Sequence, residues 1–266
     1  HDIERQTFDY PEDVIKEKIH TIRRPRADEF QIKEAVEKIK ASKNPIIISG
    51  GGVFYSDAME ELSKFAIKHN IPVTQTVMGY STMKRDHSHY AGQIGALGGK
   101  NTNSLAKQTD LAIAVGTKLA DFTTGSWTNF ENENFKLVSI NVSRFDANKH
   151  LAQAVVGDAK VSLDELSQAL GEWKASEEWN KKSQIELKAW NEHVDKESAP
   201  TNQEVPSYVQ VVGAVYRNSD PSDIAVTAAG GLVGEVIQVW RPRELNTHET
   251  EWGFSCMSYE ISGALG

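Results

Sequence analysis

The chain has 266 residues, of which 39% are apolar and 25% charged, and its formal net charge is −8. This acidic balance argues against nucleic acid and anionic membranes as partners, because both bind basic surfaces, and no apolar run approaches the ~18 residues of a membrane span. The single cysteine, Cys256, excludes an internal disulfide and a multi-cysteine zinc site. The chain starts at His1 rather than Met and has no signal-peptide layout, so we predict a cytoplasmic protein and a sequence that is a fragment.

Residues 1–30 are polar, proline-punctuated and of mixed charge, which is typical of a linker or arm that wraps a neighbouring domain. From Gln31 the apolar residues follow a helical period. PIIIS at 45–49 predicts a short strand that is buried on both faces. Ser56 is the expected N-cap of the following helix, and Asn70 is its expected end.

The alternation of strand and helix then repeats along the chain. Helices are expected near 101–108 and 161–173, and apolar runs predict further strands at 71–76, 110–116, 136–142 and 154–158. Strands this apolar are covered on both faces, and helices between them imply right-handed crossovers. The predicted fold class is therefore α/β: a doubly wound parallel sheet, forming a Rossmann-like middle domain over residues 31–172.

A charged connector is predicted at 173–206, where the composition changes and the segment ends in the turn-rich SAPTNQEVP. Trp173, Trp179 and Trp190 are spaced along its expected surface helix. Large aromatic side chains at such spacing are expected to anchor the connector on a neighbouring domain.

A second α/β unit is predicted at 207–266, with a helix at 207–218, a strand at 223–229 and a helix near 233–240. The unit ends inside GFSCMSYEISGALG, a segment of helical character with no cap or turn after it. Two strands at most cannot form an independent sheet. We therefore expect this second domain to be truncated.

The glycines at 50–52 follow a strand, where backbone amides at a helix start could bind phosphate. In the dinucleotide-binding fingerprint the third glycine falls on Tyr55, and the second strand ends in Gln75 and Thr76 rather than in an acid that holds a ribose. These residues disfavour NAD and favour a tight strand-to-helix turn.

Two other loops are candidates for ligand or subunit contact. AGQIGALGGKN at 91–101 is either a phosphate cradle or a mobile loop beside a ligand or subunit, and 121–130 lies at the strand edge where open parallel sheets bind ligands. His87 and His89 lack further metal ligands and are expected to be solvated. Ser255 lacks the glycine that a nucleophile elbow needs, so no serine hydrolase site is predicted. In the loop at 121–130, the side chains that could hydrogen-bond to a ligand or subunit are Thr123, Thr124, Ser126 and Asn129.

Two motifs near the C-terminal end carry a resemblance to a known superfamily. VTAAGGLVG at 226–234 and GFSCMSYEISGALG at 253–266, after a Rossmann-like domain and a charged connector, resemble the thiamine-diphosphate enzymes of the acetohydroxyacid synthase type. In that superfamily a pyrimidine-binding domain comes first, a non-catalytic middle domain second and a diphosphate-binding domain third. The resemblance implies that 31–172 is the middle domain and that 207–266 begins the third.

Longer stretches narrow the resemblance to one family. DFTTGSWT, SINVSRFDANKH and HETEWGFSCMSYEISGALG are similar to the trihydroxycyclohexane-1,2-dione hydrolases of myo-inositol catabolism, and HDIE at the start is similar to the end of a segment that closes their first domain. The family implies a hydrolase that cuts a C–C bond and opens a cyclic polyol-derived dione to a deoxy-uronic acid. It further implies thiamine diphosphate and Mg²⁺ as cofactors, NAD as a pathway-linked cofactor only, and a homo-oligomer, because its active sites form between two subunits.

The resemblance also assigns cofactor contacts. Gly230, Gly231 and Leu232 take the diphosphate-contact positions, where backbone amides at a helix N-terminus would bind an anion. Met257 takes the place of the methionine that supports the bent cofactor beside its pyrimidine, a task that suits a bulky, flexible thioether.

The family's activating glutamate is expected before His1, and its magnesium motif after Gly266. No catalytic or metal-binding residue is therefore predicted inside this chain, which alone is expected to be inactive. Two alternatives stay open at this point. One is a carboligase or decarboxylase of the acetohydroxyacid synthase or glyoxylate carboligase kind; the other is a nucleotide-binding (ADP or FAD) or scaffolding module.

Overall fold

The computed structural model describes residues 5–266, so the HDIE segment at 1–4 lies outside the described residues. Its main feature is a six-stranded sheet whose strands are all parallel to their neighbours. These strands are β1 (Pro45–Ser49), β2 (Val73–Gln75), β3 (Tyr90–Gln93), β4 (Leu111–Val115), β5 (Lys136–Asn141) and β6 (Gln153–Val156). Their spatial order is β3-β2-β1-β4-β5-β6, which is the order of a doubly wound fold. The predicted fold class is confirmed.

Helices cover both faces of this sheet, and the strands alternate their side chains between the two resulting cores. In β1, Ile47 belongs to the core on one face of the sheet, whereas Ile46 and Ile48 belong to the core on the other face. This two-sided burial explains why the strands are almost wholly apolar. The helices up to this point are α1 (Glu12–Ile15), α2 (Glu29–Ala41), α3 (Gly51–Tyr55), α4 (Met59–His69), α5 (Lys100–Gln108), α6 (Asp121–Thr124), α7 (Arg144–Ala147), α8 (Ala159–Leu170) and α9 (Glu177–Glu197).

The predicted role of Ser56 as an N-cap is wrong. The glycine turn itself becomes the short helix α3, and Ser56 is the C-cap of that helix, with its amide donating to the carbonyl oxygen of Gly52 at 2.9 Å. The next helix, α4, begins only at Met59. Its predicted end at Asn70 is confirmed, because Asn70 adopts a left-handed conformation with φ of 54°, which is typical of a helix C-terminus.

Strand β3 was not predicted, because its residues YAGQ lack the β-branched side chains that mark strands. The segment 91–101 therefore begins as a strand and becomes a loop only after Gln93. The expectation that His89 is solvated is also wrong, since its side chain is buried at 7% exposure. Its Nε2 pairs with Oδ1 of Asn70 at 3.0 Å, and burial, followed by the charge of His87, lowers the pKa of His89 to about 4.

The connector helix α9 is anchored on the main sheet through Trp179. The indole of Trp179 is buried in the core beside α5, and its Nε1–H donates to the carbonyl oxygen of Pro45 at 2.8 Å. Trp173 packs against the opposite core. The prediction that these tryptophans tie the connector to a neighbour is confirmed for both.

The N-terminal arm is fixed to the sheet at its inner end. The guanidinium of Arg24 donates to the carboxylate of Asp158 at 3.2 Å, and the amide of Asp158 donates to the carbonyl oxygen of Pro25 at 2.8 Å. Asp158 also caps α8 by accepting from the amides of Lys160 and Val161. The segment around Pro25 thus packs at the C-terminal end of β6.

The last part of the chain forms a small parallel βαβ unit. It comprises α10 (Tyr208–Asn218), β7 (Ala225–Thr227), α11 (Leu232–Val239), β8 (His248–Thr250) and α12 (Tyr259–Leu265), and β7 pairs in parallel with β8. Sequence analysis missed β8, whose three residues are polar. The division of the chain at 30, 172 and 206 stays a prediction. Among the helices of residues 5–266, none has the combined length and hydropathy needed to cross a bilayer.

Candidate functional site

The glycine turn after β1 packs against the loop after β4. The amide of Gly50 donates to the carbonyl oxygen of Val115, and the amide of Gly52 to that of Gly116, both at 2.9 Å. A Cβ on Gly52 would lie 2.6 Å from the Cα of Gly116, and one on Gly50 would lie 2.5 Å from the Cβ of Thr117. The glycines are therefore used for close backbone packing at the point where the strand order reverses, which supports the interpretation as a tight turn.

The two candidate loops, 91–101 and 121–130, meet each other. The amide of Ala96 donates to the carbonyl oxygen of Phe122 at 2.7 Å, and a Cβ on Gly95 would lie 2.1 Å from that same oxygen. Between the loops lies an open cleft of about 470 Å³. Ligand contact in this cleft stays a prediction.

Two of the four polar side chains in 121–130 that are candidates for ligand or subunit contact are hydrogen-bonded within the protein, one inside the loop and one to α5. The hydroxyl of Thr124 is buried and accepts from the amide of Trp127 at 3.3 Å. The side chain of Asn129 donates to Oδ1 of Asn103, also at 3.3 Å. Thr123 is half-buried and Ser126 is exposed.

The predicted diphosphate-contact residues lie together at the start of α11. Gly230 has a φ of +119°, which favours glycine, and Gly231 is the N-cap residue with helical φ and ψ. A Cβ on either glycine would meet nothing within 4 Å, and Leu232 is 47% exposed. The first amides of a helix have no partner within the helix. The site therefore combines free backbone donors, the positive end of the helix dipole and open space.

Beneath these residues the underside of α11 is apolar and packed. Val233 and Ile237 are buried together with Val77, and Leu97 and Trp252 pack against this group. Sequence reasoning missed Leu97 and Trp252 as parts of the site's support. The sequence signal for both is a large apolar side chain in a glycine-containing candidate segment: Leu97 lies in AGQIGALGGKN, and Trp252 lies in HETEWGFSCMSYEISGALG.

Met257 lies on the segment that precedes α12 and is 79% exposed. Glu251 shapes this segment, because its carboxylate accepts from the amides of Phe254 and Cys256, each at 2.6 Å. The same hydrogen bonds, from Cys256 first and then Phe254, lower the pKa of Glu251. Helix α12 packs against β7, the strand that leads to Gly230, so both predicted halves of the cofactor site belong to the same small unit.

Within residues 5–266 no group of three or more His, Cys, Asp or Glu side chains could hold a metal ion. His87 and His89, which are two positions apart, are both hydrogen-bonded to other side chains. Nε2 of His87 pairs with the hydroxyl of Ser63 at 2.9 Å, and Nε2 of His89 pairs with Asn70. Nε2 of His248 pairs with the hydroxyl of Thr227 at 3.2 Å, and burial lowers the pKa of His248 to about 4.

Comparison with known proteins gives the same result along the chain. Residues 32–166 match the family described as "Thiamine pyrophosphate enzyme, central domain". The whole chain is similar to proteins named 3D-(3,5/4)-trihydroxycyclohexane-1,2-dione hydrolase, with 37% identity in Clostridium tetani, 36% in Clostridium botulinum and 35% in Geobacillus thermodenitrificans. The chain covers 44–45% of the length of these relatives. The predicted resemblance is confirmed: the chain belongs to the thiamine pyrophosphate enzyme family, whose central domain it carries at residues 32–166.

Proposed function

We propose that this chain is the middle part of a thiamine-diphosphate-dependent hydrolase that cleaves a C–C bond and opens the ring of trihydroxycyclohexane-1,2-dione to a deoxy-uronic acid. The observation that carries the proposal is the similarity to relatives of that name over the whole chain, including the segments with Gly230–Leu232 and Met257. We propose the same domain organisation as in the superfamily: an arm at 1–30, a middle domain at 31–172, a connector at 173–206 and the start of the diphosphate-binding domain at 207–266.

The residues at the start of α11 fit a diphosphate group. Open space surrounds Gly230 and Gly231, and the free amides of the first helical turn would donate to phosphate oxygens. Met257, exposed on the same unit, would support the pyrimidine end. Bound thiamine diphosphate supplies the electron sink for the pair released by C–C cleavage. The part of this chain in that chemistry is to hold and orient the cofactor.

We further propose that the Mg²⁺ ligands and the activating glutamate come from the residues that flank this chain in the full-length protein, as the resemblance to the superfamily implies. We therefore expect residues 1–266 alone to be inactive. The exposed Phe254, Ile261 and Leu265 would be covered in the complete protein. A cytoplasmic location and a homo-oligomer, with each active site between two subunits, complete the proposal.

The first test is direct binding of thiamine diphosphate with Mg²⁺, measured by calorimetry on the full-length protein and on residues 1–266. We expect saturable binding to the full-length protein alone. Gly231→Ala adds a methyl group where the diphosphate would lie, at a residue whose φ is compatible with alanine. It should weaken binding about tenfold or more, the loss of one hydrogen bond to a charged group, and leave the melting temperature unchanged.

Gly253→Ala is the matched control, because a Cβ there would also meet little, with Oε1 of Glu251 nearest at 3.6 Å. This control should bind the cofactor as the wild type does. If Gly231→Ala and Gly253→Ala bind equally well, α11 does not hold the diphosphate.

The second test is the choice of reaction. The full-length enzyme should consume the cyclic dione in the presence of both cofactors, with one water taken up per ring opened. It should form no carboligation product from pyruvate or glyoxylate. Carboligation without dione hydrolysis would contradict the proposed hydrolase, and binding of ADP or FAD without thiamine diphosphate would favour a nucleotide-binding module.

A further inference from the structure

The main sheet contacts α11 through the apolar packing of Val77 with Val233 and Ile237 and, at the C-terminal end of the helix, through the hydroxyl of Tyr80. The hydroxyl of Tyr80 lies 2.6 Å from the carbonyl oxygen of Ile237 and 2.9 Å from that of Trp240, and donates to them. These carbonyls belong to the last turn of the helix and to its C-cap, where backbone acceptors have no partner within the helix. Tyr80 thus caps a helix that is remote from it in sequence.

The position of this hydroxyl is fixed by the main sheet. Tyr80 is 4% exposed and directly follows the turn at Val77–Gly79. Gly79 packs against β1 so closely that a Cβ on it would lie 2.1 Å from the carbonyl oxygen of Ser49. Burial also raises the pKa of Tyr80 well above its usual range, so the hydroxyl keeps its proton and remains a donor.

The other end of α11 rests on Leu97. Leu97 packs with Val233 in the first turn, and its Cδ2 lies 3.4 Å from the place that a Cβ on Gly234 would take. Leu97 lies in the loop at 91–101, and the amide of the preceding residue, Ala96, donates to the carbonyl oxygen of Phe122. The aromatic ring of Phe122 in turn packs edge-to-face on Trp252, with centroids 5.1 Å apart. Both ends of α11 are therefore held by residues of the main sheet's loops.

We propose that Tyr80 and Leu97 are positioning residues for the cofactor: they set the tilt of α11 and thereby aim the amides of Gly231 and Leu232 at the diphosphate. The inference rests on the proposed function and extends it, because it gives the middle domain a specific task in cofactor binding.

The length of α11 explains why both contacts matter. Eight residues span about 12 Å at 1.5 Å per residue, so a tilt of about 5° at one end displaces the other by about 1 Å. A shift of that size takes an N–H···O contact out of the 2.7–3.2 Å range of a good hydrogen bond. Loss of the Tyr80 cap is therefore expected to be felt at the opposite end of the helix.

The test is calorimetric binding of thiamine diphosphate with Mg²⁺ to the full-length protein carrying Tyr80→Phe. We expect the Kd to rise about tenfold, the equivalent of one weakened hydrogen bond to a charged group, with little change in kcat at saturating cofactor. Leu97→Ala, which removes the support under the first turn from a half-buried residue, should change the Kd in the same direction. It tests the same inference should Tyr80→Phe fold poorly.

Val36→Ala is the control for a general loss of stability. Val36 lies on α2 and is 8% exposed. It packs in the core that α2 forms with α8, and it belongs to a different apolar cluster from the residues of α11. Its variant should melt at a lower temperature and bind the cofactor with the wild-type Kd. An unchanged Kd in Tyr80→Phe and Leu97→Ala, or an equal rise in Val36→Ala, would overturn the inference alone. Absence of binding by the wild-type protein would contradict the proposed function and remove the inference with it.

Discussion

The amide of Gly52 donates to the carbonyl oxygen of Gly116 at 2.9 Å, and the Cβ position of Gly52 lies 2.6 Å from the Cα of Gly116. This contact joins the loops that leave β1 and β4, the two central strands. In doubly wound folds that bind dinucleotides, the same place is an open crevice. Here two glycine backbones fill it, so the turn is a structural joint between the halves of the sheet.

Gly52→Ala is expected to lower the free energy of unfolding by about 1–3 kcal/mol, because the added methyl group meets backbone that cannot move aside. Gly234→Ala is the matched control in another helix, where the nearest atom is the flexible end of Leu97 at 3.4 Å. That control should be neutral or more stable by about 0.5–1 kcal/mol. Urea unfolding of both variants measures the difference, and equal stabilities would show that the glycine contact is not tight.

His89 gives the protein a predictable sensitivity to acid. Burial holds its pKa near 4 in the fold, whereas an unfolded histidine titrates near 6.5, so protonation favours the unfolded chain. The free energy of unfolding is therefore at its full value above about pH 6.5 and decreases as the pH falls towards 4. At pH 5 the loss is on the order of 1–2 kcal/mol. His89→Gln should flatten this part of the stability–pH curve, measured by urea unfolding between pH 5 and 8; an unchanged slope would contradict the assignment.

Trp179 is expected to be the main anchor of the connector helix. Trp179→Ala removes a buried ring and leaves the carbonyl oxygen of Pro45 without its indole donor, so the free energy of unfolding should fall by about 3–5 kcal/mol. Ile185→Ala on the same helix is the control, because Ile185 is 61% exposed and should change stability by about 0.5 kcal/mol or less. Chemical unfolding followed by near-ultraviolet circular dichroism distinguishes the two.

The arm should be coupled to the sheet through Arg24 and Asp158. A double-mutant cycle with Arg24→Ala and Asp158→Asn is expected to give a coupling energy of about 1–3 kcal/mol, because the carboxylate is 97% shielded from solvent, with a side-chain exposure of 3%. The neighbouring pair Arg26 and Glu165, whose side chains are 75% and 16% exposed, should give less than about 1 kcal/mol, because solvent screens the exposed guanidinium. Equal coupling in both cycles would contradict the importance of burial at Asp158.

Met257 separates stability from cofactor binding. Because it is 79% exposed, Met257→Ala should leave the unfolding free energy of residues 1–266 within about 0.5 kcal/mol of the wild type. In the full-length protein the same change should weaken thiamine diphosphate binding, since the proposed pyrimidine support is lost. Calorimetry on the full-length variant, with Gly253→Ala as the neighbouring control, tests this assignment, and a wild-type Kd for Met257→Ala would contradict it.

The strands that could be predicted from the sequence are those with a run of consecutive apolar residues. β1 and β4 are almost wholly apolar because both their faces are covered, and such runs are visible without a structure. β3 and β8 gave no such signal, since YAGQ and HET are stabilised by pairing with a neighbouring strand rather than by their own propensity.

The site divides in the same way. Gly230–Leu232 and Met257 were found because they lie in recognisable motifs, and their role as cofactor contacts stays a prediction. Tyr80 could not be found, because its contacts with Ile237 and Trp240 span 157 and 160 positions of the chain. Contacts of this kind depend on how two units dock, which local periodicity does not record.

The strand order has a consequence for synthesis on the ribosome. β1, β2 and β3 come from residues 45–93 and can assemble as soon as that segment has emerged, whereas β1 finds its second partner only when β4, at 111–115, has been made. Until then the edge of PIIIS, five apolar or small residues, is open to pairing with other chains. We expect the nascent chain to be most prone to aggregation during this interval and to depend then on chaperones that bind extended apolar segments.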